Sequence, residues 1–254
     1  MSVKLSKRLE IVAQWIPQGS RLADIGTDHA LLPVFLVQTG KISFAVAGDI
    51  HEGPLETARQ QVAEAGLQDH ISIRRGDGLA VVEPEEVDAV SIAGMGGSTM
   101  VHILSEGEKQ LASVKRLVLQ PNVGEFAVRR WLEDHQWFLA SEELLQEDGR
   151  IYEILVADRR PNAAELNRKL YEQASSAYGA VLTKEDLHLL GPYLLQKAGP
   201  VFERKWEGEL LKLQQVCRSL KNSSLAESRL KLEEMQRRTE RIKEVLQCLP
   251  KVKP

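Results

Sequence analysis

The sequence contains few of the features that mark several common classes of protein. Its two cysteines, Cys217 and Cys248, form no C-x-x-C pair, so we expect neither a disulfide framework nor a cysteine metal site. The six histidines form no H-x-x-x-H or H-E-x-x-H pair, and we therefore expect no bound metal. No apolar run approaches the roughly 18–20 residues of a membrane span, and residues 1–16 lack the continuous apolar block of a signal peptide. These absences favour a cytoplasmic protein without a membrane partner.

The composition is that of a globular protein with an uneven distribution of charge. Hydrophobic residues make up 43% and charged residues 27% of the 254 positions, which leaves room for one large domain and a smaller one. Residues 159–254 contain 19 Lys and Arg against 12 Asp and Glu, whereas residues 1–158 contain 14 against 24. The basic C-terminal part favours contact with a polyanion, although the solvated faces of long helices have a similar composition.

Short β-branched runs alternate with helical patterns over residues 1–158, the first predicted domain. This alternation predicts an α/β fold with a doubly wound, mostly parallel sheet of seven strands, covered by helices on both faces. The last two strands follow each other without a helix, which predicts an antiparallel hairpin at the edge. The predicted strands are 21–26, 44–49, 71–76, 87–94, 116–121, 137–144 and 150–157.

Strand patterns end near residue 158, and a second predicted domain covers residues 159–254. Two series of residues at alternating spacings of four and three predict two heptad-patterned helices, joined by a short turn as an antiparallel helical hairpin. Ser224 and Glu227 predict a capping box at the start of the second helix. An antiparallel hairpin covers its own apolar seam, which favours a monomer. The two series are Trp206, Leu210, Leu213, Cys217, Leu220 and Leu232, Met235, Thr239, Ile242, Leu246, Leu249.

Three acidic residues, Asp24, Asp49 and Asp77, lie at or just after the ends of the first three predicted strands. A doubly wound sheet binds its ligand beyond the carboxyl ends of its strands, and an ionised carboxylate there accepts hydrogen bonds from a diol or an amine. A nicotinamide dinucleotide also uses an acid after the second strand. It needs G-x-G-x-x-G after the first, however, where residues 26–31 read GTDHAL. Because Asp28 would repel a pyrophosphate, the sequence disfavours a dinucleotide.

The segments ADIGTDHA, AGD and GDGL, which contain these acids, resemble successive motifs of the class I methyltransferases, whose cofactor is S-adenosyl-L-methionine. The resemblance implies that Asp24 and Gly26 shape the bed for the methionine moiety. It implies further that Asp49 binds the ribose hydroxyls and that Asp77 binds the adenine amino group. Other implied cofactor contacts are Ile50, Gly78, Ala93, Gly94 and Met95, of which Met95 could instead pack against the sheet.

Two further segments, SIAGMGGSTM (91–100) and LQPN (119–122), together with ADIGTDHALLP resemble the bacterial tRNA methyltransferases called TrmK. The motifs cover residues 1 to about 160, and the rest matches as a helical domain by its composition. The resemblance implies methylation of N1 of adenine 22 in tRNA. No aromatic residue follows Pro121, unlike in the N-P-P-[YFW] motif of many amino-group methyltransferases, which argues against an N6 mechanism.

Asp28, His29 and Asn122 are the candidate catalytic residues. Positive charge builds on the adenine as a methyl group reaches N1, and a carboxylate that accepts from the exocyclic amino group would stabilise it. Asp28 could do so, or it could cap the helix that follows. His29 could hydrogen-bond Asp28, the substrate or a phosphate, and Asn122 could meet a base edge or serve as a turn residue.

Two sets of basic or aromatic residues are candidate RNA contacts. Arg129, Arg130 and Trp131 lie on one predicted helix, where a solvated face is the favoured alternative. The second helix of the hairpin carries six cations whose alternative is to buttress the fold, namely Arg229, Lys231, Arg237, Arg238, Arg241 and Lys243.

Two other functions stay open at this point. A small-molecule methyltransferase would leave the basic C-terminal part unexplained. A non-catalytic RNA-binding protein on the same fold would have no need of the three acids.

Overall fold

The computed structural model describes residues 3–176, 182–221 and 226–248. The chain divides into two compact units, residues 1–168 and 169–254. Residues 159–168, which follow the predicted domain boundary, cluster with the first unit. In chain order the elements are α1 (Lys7–Trp15), β1 (Arg21–Ile25), α2 (Leu31–Gln38), β2 (Phe44–Asp49), α3 (Glu52–Glu64), β3 (Ile71–Arg75), β4 (Ala89–Gly96), α4 (Gly97–Glu106), β5 (Arg116–Val123), α5 (Glu125–Asp134), β6 (Trp137–Glu147), β7 (Arg150–Arg159), α6 (Ala163–Ser176), α7 (Lys184–Leu190), α8 (Pro192–Gln196), α9 (Pro200–Lys221) and α10 (Ala226–Cys248).

The seven strands form one sheet in the order β3-β2-β1-β4-β5-β7-β6. Strands β1 to β5 run parallel, and β7 pairs antiparallel with both β5 and β6. The predicted doubly wound sheet and its antiparallel edge hairpin are therefore confirmed. The strand order reverses at β1, which lies between β2 and β4, and this is the place where such sheets bind their ligands.

The pairing of β4 with β5 extends beyond both predicted strand ends. Its register shifts between Ala93 and Met95 and again between Met95 and Gly96, so that Gly96 pairs with Val123. Gly94 lies within this irregularity with a φ of +80°, a conformation that glycine adopts without strain. Irregularities of this kind redirect backbone and side chains beside functional sites.

Helix α5 buries a face that contains Arg129 and Trp131, which the sequence did not predict to be buried. The guanidinium of Arg129 is 1% exposed and donates to Glu142 on β6 and to Glu153 on β7, each at 2.5 Å. Trp131 is also buried and donates from Nε1 to the Ser105 hydroxyl at 2.8 Å. For both residues the favoured interpretation, a solvated helix face, is therefore wrong, and so is the RNA contact, because the fold encloses this face of the helix.

In the second unit α9 and α10 pack against each other. The four residues between them, 222–225, cannot span the roughly 30 Å that parallel helices of this length would require, so the two helices run antiparallel. The structure buries Trp206, Cys217, Thr239 and Ile242 of the predicted seam. The predicted turn and capping box, as well as Leu249, lie outside the described residues.

Arg241 of α10 belongs to the packing of this unit. It donates to the Asp186 carboxylate on α7, with Nη2 2.7 Å from Oδ2, and Asp186 also caps its own helix with Thr183. Burial opposes ionisation of Asp186, but the hydrogen bonds from Arg241 and Thr183 outweigh it and lower the pKa of this carboxyl. Arg241 is therefore engaged in structure, whereas Arg237 and Arg238 are exposed.

Within the described ranges no helix is both long enough and apolar enough to cross a membrane.

Candidate active site

The residues that the sequence singled out lie along the carboxyl-terminal edge of the parallel strands. Asp24 lies near the end of β1, and Gly26 comes directly after that strand. Asp49 ends β2, and Asp77 comes two residues after β3. Ala93, Gly94 and Met95 lie at the end of β4, and Asn122 lies near the end of β5. The fold thus brings the predicted residues to one edge of one sheet.

Asp24 is buried below this edge and connects β1 to β4. Its Oδ1 accepts a hydrogen bond from the Ser91 hydroxyl and its Oδ2 accepts one from the Thr27 hydroxyl, both at 2.7 Å. Burial raises the pKa of Asp24 above its ordinary value, against the effect of these two hydrogen bonds. Since protein hydroxyls engage both oxygens, Asp24 holds the turn in shape.

The turn after β1 requires glycine at position 26. Gly26 has a φ of +72°, and the backbone N–H groups of Gly26 and Thr27 donate to the Gly48 carbonyl of β2. A Cβ atom on Gly26 would lie 2.0 Å from the terminal methyl carbon of Met95. Met95 therefore packs over this turn.

The side chains of Asp28 and His29 meet at the surface of the same turn. Nε2 of His29 lies 2.9 Å from Oδ1 of Asp28, and 82% of the Asp28 side chain is exposed. Helix α2 has Ala30 as its N-cap and no side-chain hydrogen bond there, so the structure does not show the capping role that the sequence allowed for Asp28. His29 and Ala30 have φ values of +59° and +53°, a strained conformation for residues other than glycine that is common at functional sites.

Asp49 presents a partly accessible carboxylate at the end of β2. Its Oδ1 accepts from the His51 backbone N–H at 2.7 Å and lies 3.1 Å from His51 Nδ1. Its Oδ2 accepts no hydrogen bond from the described residues. The next residue, Ile50, is an apolar side chain with 49% exposure.

Asp77 lies beside a cavity of about 260 Å³. Gly78, with a φ of +52°, starts the short 3₁₀ turn Gly78–Val81 that forms one wall. Helix α4 supplies His102 and Glu106 on the other wall. Neither of these two residues could be predicted from the sequence, because only the packing of α4 brings them beside Asp77.

A network of hydrogen bonds joins β4, β5 and α1 at the other side of the edge. Oε1 of Gln120 accepts from Arg8 Nη1 at 2.5 Å and from the Gly94 backbone N–H at 3.1 Å. Nε2 of Gln120 donates to Asn122 Oδ1 at 3.1 Å, and Asn122 Nδ2 donates to the Gly94 carbonyl at 2.8 Å. The Asn122 amide thus keeps one N–H for a further partner.

Gln120 and Arg8 are functional candidates that the sequence analysis did not name. A glutamine within an apolar strand is a detectable signal, since a buried amide needs partners. Arg8 lies 112 residues from Gln120 in the chain, and no local pattern distinguishes it from Lys7, the other cation of its helix.

Among the described residues, no cluster of three or more His, Cys, Asp or Glu side chains could hold a metal ion. The edge offers hydrogen-bond acceptors at Asp28, Asp49 and Asp77 and a single-glycine turn at the strand-order reversal. This arrangement suits a ligand that is rich in hydroxyl and amino groups.

Comparison with known proteins identifies the family. A sequence profile of the family TrmK, tRNA (adenine(22)-N(1))-methyltransferase, matches residues 22–244. The chain is 41% identical over 245 residues to the Bacillus subtilis (strain 168) tRNA (adenine(22)-N(1))-methyltransferase, covering 96% of this chain and 98% of that protein. The crystal structure of B. subtilis TrmK superposes with a TM-score of 0.85 at 40% identity, over 96% of this chain and 99% of that one.

A second solved structure carries the cofactor that the motifs imply. It is a Streptococcus pneumoniae protein in complex with S-adenosyl-L-methionine, with a TM-score of 0.78 and 36% identity over 96% of this chain and 100% of that one. The profile match covers most of the chain, and the relatives match it over nearly their whole lengths. The chain belongs to the TrmK family of tRNA (adenine(22)-N(1))-methyltransferases.

Proposed function

We propose that this protein is an S-adenosyl-L-methionine-dependent methyltransferase that methylates N1 of adenine 22 in tRNA. Membership of the TrmK family carries the proposal. The sequence left two other functions open, a small-molecule methyltransferase and a non-catalytic RNA-binding protein. Neither has comparable support from the relatives.

The residues of the strand edge fit the cofactor. Asp49 has an oxygen available for the ribose hydroxyls, and Asp77 with Gly78 borders a cavity beside the edge. Gly26 and Met95 form the close contact at the turn. The proposed cofactor-binding residues are Asp24, Gly26, Asp49, Ile50, Asp77, Gly78, Ala93, Gly94 and Met95. When bound, the cofactor supplies an electrophilic methyl group on a sulfonium centre.

The chemistry asks little of a general base. The N1 lone pair of neutral adenine forms the new N–C bond while the C–S bond breaks, and the sulfur retains that electron pair. The methylated base is then a cation, so no proton has to leave during the transfer. The task of the protein is therefore to orient the base and to stabilise the positive charge that spreads towards the exocyclic amino group.

Asp28 is the residue proposed for this task. Its carboxylate is exposed at the turn where the strand order reverses, and His29 holds it at 2.9 Å. As an acceptor from the adenine amino group it would bind more strongly as the charge grows, which lowers the barrier. Asn122 would direct its remaining amide N–H to the base edge, and the exposed apolar side chain of Val123 lies next to it.

The C-terminal part of the chain would hold the tRNA. We propose that residues 1–158 form the methyltransferase domain and residues 159–254 the tRNA-contacting domain. Phosphate contacts from exposed basic side chains of α10 would supply most of the affinity for tRNA. We further propose that the enzyme acts as a monomer, without a metal ion, in the cytoplasm where its tRNA substrate is found.

Transfer of a labelled methyl group to unmodified tRNA, followed by nucleoside analysis, tests this function. The label should be recovered as N1-methyladenosine, and a transcript in which guanine replaces adenine 22 should remain unlabelled. Label at N6, at a cytosine or only on a small molecule would contradict the proposal.

A further inference from the structure

The proposed cofactor site has an unbalanced charge. Asp28, Asp49 and Asp77 are the accessible acids at the strand edge; histidines stand beside the first two, and among the described residues no arginine or lysine pairs with any of the three. S-Adenosyl-L-methionine carries a sulfonium, an α-ammonium and one carboxylate. Acidic side chains attract the two cationic groups and repel the carboxylate. A cationic hydrogen-bond donor at one end of the site would offset this repulsion and bind the carboxylate.

Arg8 of α1 is held in position at that edge. Its Nη1 donates to Gln120 Oε1 at 2.5 Å, and its guanidinium carbon lies 5.5 Å from the centre of the Tyr152 ring. A Cβ atom on Gly94 would lie 3.5 Å from Arg8 Nη1. The guanidinium thus lies against the backbone of Gly94, next to the residues implied to contact the cofactor.

The charge of Arg8 has no carboxylate partner among the residues that the structure describes. Its one side-chain acceptor is a neutral amide, and four of its five N–H donors remain for other partners. Glu147 accepts from the backbone N–H groups of Lys7 and Arg8 instead of from the guanidinium. By contrast, each of Arg74, Arg116, Arg129 and Arg241 pairs with a carboxylate.

We propose that Arg8 binds the carboxylate of the methionine moiety of the cofactor; this inference rests on the proposed function. Gln120, which orients Arg8, pairs with Ala93 of β4, and β4 lies beside β1, whose end carries the Gly26 turn. The positioned guanidinium therefore lies on the methionine side of the site, away from Asp77. Its free fork matches a carboxylate with two parallel hydrogen bonds.

Calorimetric titration of two ligands into three proteins tests this assignment. The ligands are S-adenosyl-L-methionine and its decarboxylated analogue, which lacks only the carboxylate. The proteins are the wild type, Arg8→Ala and the control Lys7→Ala, which removes an exposed charge from the same helix. We expect Arg8→Ala to weaken binding of S-adenosyl-L-methionine by about ten- to a hundred-fold, as for the loss of a charged hydrogen-bonded pair. Its affinity for the analogue should equal that of the wild type, and Lys7→Ala should bind both ligands as the wild type does.

The comparison of the two ligands within one variant separates binding from folding. Equal weakening of both ligands by Arg8→Ala would overturn the assignment, because Arg8 would then maintain only the shape of the site. Unchanged binding of both ligands, with a higher KM for tRNA and a weaker salt dependence, would also overturn it and make Arg8 a phosphate contact. A wild-type protein that binds neither ligand would contradict the proposed function itself.

Discussion

The catalytic role proposed for Asp28 can be tested by mutation, because a change at this residue should not disturb folding. Its carboxylate is exposed and does not cap α2, so Asp28→Asn should fold normally. We expect this variant to lower kcat for tRNA methylation by about a hundred-fold, since it removes the charge that faces the developing cation. The affinity for S-adenosyl-L-methionine should remain close to that of the wild type.

Single-turnover methylation and calorimetry check these two quantities. Asp69→Asn, which changes an exposed aspartate before β3 at the opposite end of the strand, is the matched control and should behave as the wild type. Near-normal turnover in Asp28→Asn would exclude a catalytic role for its charge.

Asp24 makes a prediction about stability and pH. Burial raises its pKa in the folded state above the ordinary value of 3.8, so folding favours the protonated form. The contribution of Asp24 to stability is therefore fully present below pH 3.8 and is lost as the pH rises through the raised pKa. Relative to Asp24→Asn, the wild type should lose free energy of unfolding between acidic and neutral pH. Urea denaturation of both proteins without cofactor measures this difference, and a relative gain by the wild type with rising pH would show that the hydrogen bonds prevail over burial.

At the scale of elements, a buried ion cluster fastens α5 to the antiparallel hairpin. Arg129, Glu142 and Glu153 are each 1% exposed. Arg129 donates to both buried carboxylates, and breaking such a buried pair by removing one partner typically costs about 3–5 kcal/mol. We expect Arg129→Met to lower the free energy of unfolding by that amount. Arg130→Met changes the exposed neighbour and should alter stability by less than about 0.5 kcal/mol. Similar midpoints in chemical denaturation for the two variants would contradict this account.

The same helix shows where sequence analysis reaches its limit. The strands could be predicted because apolar β-branched runs are local, and the common edge of Asp24, Asp49 and Asp77 could be predicted because each stands at or just after a strand end. The inward face of α5 could not be predicted, since the partners of Arg129 come from β6 and β7. Arg8 could not be predicted for a similar reason, because its partner Gln120 is distant in the chain. The extension of β4 past Gly94 likewise depends on its pairing with β5.

At the scale of the whole molecule, the structure helps to explain why residues 1–158 carry net negative charge and residues 159–254 carry net positive charge. The acidic residues include those at the proposed cofactor site, while an excess of cations lies in residues 159–254. Not every cation of α10 is available for RNA, because Arg241 is committed to Asp186. Arg237 and Arg238 are exposed and are the better candidates for phosphate contacts.

Charge reversal of Arg237 and Arg238 to Glu should weaken tRNA binding and reduce its dependence on salt. Each phosphate contact releases counterions and contributes about 0.9 to the slope of log K against log salt concentration, so the loss of two contacts should lower the slope by nearly two. The new charges would stand four residues after Glu233 and Glu234, a repulsion of only a few tenths of a kcal/mol that leaves the helix folded. The double change Lys109→Glu and Lys115→Glu alters the net charge equally at exposed sites of the first unit and should retain the wild-type slope. Binding measured at several salt concentrations distinguishes local contact from net charge, because a general electrostatic effect would change both double variants alike. A wild-type slope and affinity in the α10 variant would mean that this helix only supports the fold.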